Sequence, residues 1–244
     1  MSTATHIVWD WNGTLLDDTG AALGALNAML ARRGIAAVSM ESYRARFRFP
    51  ARQYYEEIGM PVPDAEWDAI AQEYHDSYDV ESASAALNVE AVAALELARS
   101  RGARQSILSA LRQDLLEEAV ERFGVSGYFD FVRGTDNLYG AGKLAFALAL
   151  KAEIESSSSP PPRIVMIGDA IHDCEVATEL GVECVLCAQG SHSFERLAAL
   201  GVPTAPSLVA AVSRVFETPM VGALATAPQL RPRQPHLRFH RSQV

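Results

Sequence analysis

Five short apolar runs, at residues 6–9, 105–108, 129–132, 163–167 and 182–186, alternate with segments of helical spacing along most of this chain. Runs of that length cannot be membrane spans and are too short for ordinary helices. Separated by amphipathic segments, they read as buried strands joined by helical crossovers. Helical spacing covers 89–101, 113–123, 143–154, 174–180, 194–200 and 208–216. The expected fold class is therefore α/β, a doubly wound parallel sheet with helices on both faces.

The alternation is interrupted once. Between the first run and residue 87, four helical segments at 19–33, 40–47, 50–58 and 64–78 follow one another with no strand pattern between them. This reads as an all-helical unit at 18–86 inserted into a core made of 1–17 and 87–217. The serine- and proline-rich stretch 156–162 reads as a surface loop. Residues 218–244 stand apart as a basic tail. Within it, 229–244 holds Arg231, Arg233, Arg238 and Arg241, no acid, and no periodic apolar face, and disorder is expected.

Charge narrows the partners. The chain carries 21 basic and 30 acidic residues, a net −9; setting aside the tail's four arginines leaves 17 against 30. A body at −13 repels polyanions, so general nucleic-acid binding is not expected. No apolar run approaches the ~20 residues of a membrane span, and the first residues lack a secretory pattern, so the expected location is the cytoplasm. Cys184 and Cys187 lie three apart in a strand, where their side chains point to opposite faces; buried filler is expected there, not a metal or redox pair.

Right-handed crossovers bring the carboxyl ends of parallel strands to one sheet edge, so polar residues directly after the runs converge. Here they are Asp10, Ser109, and Gly168 with Asp169. With Asp173 four residues further on, the carboxylates form an oxygen-rich nest suited to a hard divalent cation such as Mg²⁺. Ser109 is expected to open a turn into a helix, its hydroxyl and the following N–H of Ala110 holding an anion. Lys143 opens another helix and adds a point positive charge. Carboxylate, metal, hydroxyl and ammonium together are the equipment of phosphoryl transfer.

These residues resemble the four motifs of the haloacid dehalogenase superfamily, in its phosphoglycolate phosphatase and β-phosphoglucomutase-like branch. Asp10-Trp11-Asn12-Gly13-Thr14-Leu15 is similar to D-x-D-G-T-L, Ser109 closes the second motif, Lys143 is the third, and Gly168, Asp169 and Asp173 match G-D-x-x-x-D. The resemblance spans residues 5–217. It implies a Rossmann-like core with a helical cap and hydrolysis of a small phosphorylated metabolite. In that scheme Asp10 attacks phosphorus to give an aspartyl-phosphate. Asp10, the main-chain carbonyl of Asn12 and Asp169 bind Mg²⁺ with Asp173 in support, Ser109 holds a phosphoryl oxygen, and Lys143 positions Asp10. Gly13 lets the main chain turn beneath the phosphate, and Thr14 supports Asp10.

Asn12 departs from the pattern, which has a second aspartate there as acid and base. An amide cannot exchange a proton at neutral pH, a loss of ~10²- to 10⁴-fold. Three readings stay open: a phosphohydrolase that is slow on alkyl esters, uses another acid, or takes good leaving groups; a dehalogenase-type hydrolase; or a protein that binds a phosphorylated ligand with little turnover. Candidate replacement acids in the helical unit are His75, Tyr54, Tyr55 and Glu56. The Schiff-base route of phosphonate cleavage is closed, because the only lysines are Lys143 and Lys151. Among Arg44, Arg46, Arg48 and Arg52, Arg48 is the expected contact to the substrate beyond its phosphate. Asp17 and Asp18, where the chain leaves for the helical unit, are expected to be hinge or helix-capping residues and not catalytic ones.

Overall fold

Residue 5 opens the first of the strands. β1 (Thr5–Trp9) puts Ile7 and Trp9 on one side and Val8 on the other, all buried, because side chains alternate along a strand and both faces of this sheet are covered. The arrangement comes from a computed structural model that describes residues 4–136 and 143–217; the expected disordered tail lies outside the described residues.

After β1 come the two-residue β2 (Leu16–Asp17) and then α1 (Thr19–Arg32), α2 (Met40–Arg46), α3 (Ala51–Glu57) and α4 (Trp67–Glu81). β3 (Ala86–Leu87) pairs antiparallel with β2, Leu16 opposite Leu87, so a short ribbon ties the two ends of the helical stretch. The remaining elements are α5 (Ala91–Ser100), β4 (Arg104–Arg112), α6 (Gln113–Arg122), β5 (Phe131–Thr135), α7 (Lys143–Ser156), β6 (Arg163–Gly168), α8 (Ile171–Leu180), β7 (Glu183–Cys187), α9 (Phe194–Ala198), β8 (Thr204–Ala205) and α10 (Leu208–Glu217). Six strands form one parallel sheet in the order β5-β4-β1-β6-β7-β8.

Each sheet face has its own apolar layer. Ile7, Trp9, Ile107, Val165, Ile167 and Val185 pack against α5, α6 and α10. Val8, Leu108, Met166 and Leu186 pack against α7 and α8. Cys187 belongs to the first layer and Cys184 to the second, as their spacing on one strand requires. A third cluster, with Leu26, Met29, Leu30, Tyr43, Tyr54 and Ile70, lies among α1 to α4. These helices therefore bury their apolar stripes largely against each other.

Two readings of the sequence are corrected. β4 runs on to Arg112, past a register irregularity between Leu108 and Arg112, because Arg112 pairs with Thr135 of β5. Ser109 thus lies within a strand, and α6 starts four residues later. The two-residue β2, β3 and β8 were too short for any periodicity to mark.

Candidate active site

β1 and β6 are adjacent and in register, Trp9 beside Ile167, and the Asp10 N–H donates to the Ile167 carbonyl at 2.8 Å. This pairing delivers Asp10 and Asp169 side by side from two strand ends. Asp10, Asp169 and Asp173 are buried, and each offers an oxygen within 4.8 Å of the others. Lys143, 3% exposed at the start of α7, donates from Nζ to Asp10 Oδ1 and Asp173 Oδ1, both at 2.7 Å. Asp173 Oδ2 accepts from the Ala170 N–H at 3.1 Å at the start of α8, where a helix favours negative charge.

Three buried carboxylates thus face a single ammonium. Burial, and then the charge of Asp173, hold Asp10 well above the usual carboxylate range, with Lys143 pulling the other way. Burial and Asp173 push Asp169 up to about 7, against hydrogen bonds from Ser191 and Thr14. Burial pulls Lys143 down, but Asp10 and Asp173 outweigh it and keep its ammonium above the ordinary lysine value. The excess of negative charge suits a divalent cation bound by oxygen.

The oxygens of Asp10 are unequally engaged. Oδ1 holds Lys143, whereas among the described residues Oδ2 has only the Thr14 hydroxyl at 3.4 Å, and that hydroxyl lies closer to Asp169 Oδ1, at 3.1 Å. Asp169 Oδ2 accepts from the Ser191 N–H at 2.5 Å. Glycine is required on both sides of Asp169. A Cβ at Gly13, whose φ is +76°, falls 2.7 Å from Asp169 Oδ2, and one at Gly190 falls 2.2 Å from the same atom.

Ser109 is buried; its hydroxyl accepts from the Leu111 N–H at 3.0 Å and reaches Asn12 Oδ1 at 3.4 Å. The expected helix terminus is absent there: Ser109 and Ala110 lie within β4, at its register irregularity. Asn12 is turned by partners that its sequence neighbourhood did not announce. Its Nδ2 donates to Asp18 Oδ2 at 2.7 Å and to the Tyr78 hydroxyl at 3.1 Å, and that hydroxyl donates to Asp18 Oδ2 at 2.5 Å. Asp18 Oδ1 accepts from the Gly13 N–H at 2.7 Å. Asp18 precedes α1 but makes no side-chain cap on it; the expected capping role is corrected to one inside the site. Burial raises its carboxyl above the ordinary value, against hydrogen bonds from Tyr78 and Asn12.

A cavity of about 210 Å³ opens from this cluster into the helical unit. Asp10, Asn12, Gly13, Ser109, Ala110, Lys143, Asp169 and Asp173 line its floor. Arg48 is not among the lining residues; it is 47% exposed and ion-paired with Glu57, so the expected substrate contact is corrected to a surface pair. Arg44 instead donates to the Gly190 and Gln189 carbonyls at 2.9 and 3.1 Å, binding α2 to the loop after β7. His192 of that loop accepts from the Ile171 N–H at 2.9 Å through Nδ1 and donates to the Phe47 carbonyl at 2.7 Å through Nε2. Of the candidate replacement acids, His75 and Tyr55 line the cavity, while Glu56 faces outward against Arg52. The strand-end rule, extended to the residues after β7, would have singled out Gly190 and Ser191. No such signal existed for Tyr78, in the last turn of α4.

The family model described as haloacid dehalogenase-like hydrolase matches residues 7–187. The chain is 28% identical, over 192 residues covering 75% of it and 79% of the relative, to a phosphoglycolate phosphatase of Caulobacter vibrioides. A solved structure from Lactobacillus delbrueckii subsp. bulgaricus, titled as a candidate phosphoglycolate phosphatase, is similar at TM-score 0.68 and 17% identity, over 89% of this chain and all of that one. Protein Tyrosine Kinase A of Mycobacterium tuberculosis gives the same TM-score and identity over the same shares. The fold alone thus accommodates differently named activities.

Proposed function

The chain belongs to the haloacid dehalogenase-like hydrolases, and from that premise we propose that it is a phosphatase of small phosphorylated metabolites in which Asp10 is the nucleophile. The observation that carries this is the cluster itself: three carboxylates with oxygens within 4.8 Å of one another, two of them, Asp10 and Asp173, tied to one buried ammonium at 2.7 Å. The name of the Caulobacter relative supports the phosphatase branch.

Oδ2 of Asp10 is the oxygen for attack on phosphorus, because Lys143 occupies Oδ1 and fixes the carboxylate plane. The product of that attack is an aspartyl-phosphate, with the leaving oxygen expelled; water then attacks the same phosphorus and frees Asp10. Ser109 would hold a phosphoryl oxygen. The donor set fits Mg²⁺: Asp10, Asp169 and the main-chain carbonyl of Asn12 would hold it, with Asp173 behind them, its oxygens already on Lys143 and Ala170. When bound, the ion would neutralise the negative excess that otherwise repels a phosphate. The helical unit between β2 and β3 serves as the cap, closing the site from water.

The Asn12 Nδ2 group is committed to Asp18 and Tyr78, and its oxygen, an acceptor only, faces Ser109. This favours a phosphatase slow on alkyl esters and faster on leaving groups that depart without a proton. The test is phosphate release from a panel including an alkyl ester, an aryl ester and an acyl phosphate, with Mg²⁺ and with chelator. Mg²⁺-dependent release that is fastest on the acyl or aryl compound supports the reading; release from none overturns it.

A further inference from the structure

Resting on the phosphate-ester reading of the site, we propose that the part of the substrate beyond the phosphate is an uncharged aromatic or similarly apolar body, not a second acid. The cavity above Asp10 and Ser109 is walled on the cap side by Leu26, Phe47, Phe49, Tyr55, Trp67 and Tyr74. These side chains come from or flank four helices and converge on one space continuous with the nucleophile.

The cap's cations point away from it. Arg46 and Arg48 pair with Glu57, Arg52 pairs with Asp64 and the Val62 carbonyl, and Arg44 is spent on the carbonyls after β7. None of the four lines the cavity. Among the described residues, its lining holds one ammonium, that of Lys143, already shared by Asp10 and Asp173, and the imidazoles of His75 and His172. Asp18 adds a carboxylate at the cavity's edge. A second anion entering here would shed its water without gaining a guanidinium, and would meet like charge. An aromatic body exchanges water for ring faces and edges instead.

Phe49 marks the entrance. It is 45% exposed, an uncommon place for a phenyl ring, and sits edge-on to Phe47 at 5.1 Å and tilted over His172 of the core at 5.4 Å. A ring there bridges Phe47 of the cap and His172 of α8 and adds apolar surface to the cavity it lines.

The experiment compares binding of benzylphosphonate, phosphonoacetate and inorganic phosphate to the whole protein with Mg²⁺ by calorimetry; none of the three has an ester to hydrolyse. Benzylphosphonate is expected to bind at least tenfold more tightly than phosphonoacetate. Phe49→Ala, at an exposed position, is expected to weaken benzylphosphonate several-fold and leave inorganic phosphate unchanged. Equal or tighter binding of phosphonoacetate overturns the inference while sparing the phosphatase reading, as does binding of inorganic phosphate alone. If none of the three binds, the phosphate reading falls and the inference with it.

Discussion

The Asn12 amide and the Asp18 carboxylate are joined by a 2.7 Å hydrogen bond, from Nδ2 to Oδ2. A carboxylate accepts and an NH₂ donates, so this contact alone determines which end of the amide faces Ser109. The residue that departs from the motif is thus oriented by an acid that the motif does not include.

Replacing Asn12 by aspartate sets two carboxyl groups against each other. Groups so placed share a proton, and one stays neutral at neutral pH, able to act as an acid. Asn12→Asp is therefore expected to raise Mg²⁺-dependent hydrolysis of an alkyl phosphate by about 10²-fold. The double variant Asn12→Asp, Asp18→Asn keeps a single charge and is expected to melt at a higher temperature than Asn12→Asp alone. Steady-state rates and thermal scans of both variants decide it; an unchanged rate in Asn12→Asp places the acid elsewhere.

Lys143→Met leaves Asp10 and Asp173 buried without their cation. Breaking a buried pair in this way costs about 3–5 kcal/mol. Urea unfolding of the metal-free variant should show a loss in that range. Adding Asp10→Asn to it should recover part of the loss, since one carboxylate fewer is stranded. A single variant within 1 kcal/mol of the wild type would contradict the charge balance described above.

Gly190→Ala places a methyl group 2.2 Å from Asp169 Oδ2 and 2.4 Å from the Gly13 carbonyl. Neither neighbour can yield without moving the carboxylate or the motif backbone. Activity should fall by ~10²-fold or more, the scale of a misplaced reacting group, and the protection that Mg²⁺ gives against thermal unfolding should shrink. Full activity in this variant would show that Asp169 need not hold its position.

His6 is fully buried, its Nε2 bonded to Ser106 Oγ at 2.8 Å and its Nδ1 without a partner among the described residues, and burial lowers its pKa to about 4. Below pH 6.5 the unfolded chain takes up a proton that the folded one refuses until about pH 4, so this residue costs stability as pH falls through that window and nothing above it. Asp169, raised to about 7, shifts stability in the opposite direction in the metal-free protein, gaining as pH falls. The comparison of His6→Gln with wild type isolates the imidazole. Between pH 7.5 and 5 the variant should gain about 2 kcal/mol relative to wild type in urea unfolding; a constant difference would mean that His6 takes up its proton as readily in the fold as in the unfolded chain.

Helix spacing from residue 19 onward made the four consecutive helices α1 to α4 readable, and the apolar runs located the five longer strands to within a few residues. Ser109 shows where the reading failed: the end of its strand depends on Arg112 finding Thr135, a partner 23 positions away, and no local period reports such a pairing. Arg48 shows a second kind of failure, since a guanidinium and its competing acid, Glu57, are both visible in sequence but their meeting is not.

That Asp10 and Asp169 lie side by side was legible in the sequence, because strand ends in a parallel sheet share one edge and a polar residue directly after an apolar run has little choice of location; Lys143 and Asp173 lie in helices, and the packing of α7 and α8 brings them to the same cluster. Tertiary structure alone decided that Asp18 and Tyr78 turn Asn12, that Gly190 and Ser191 seat Asp169, and that Arg44, Arg46, Arg48 and Arg52 stay off the cavity lining. Those outcomes depend on side chains from distant elements competing for the same partners, and that competition is resolved only once the chain is packed.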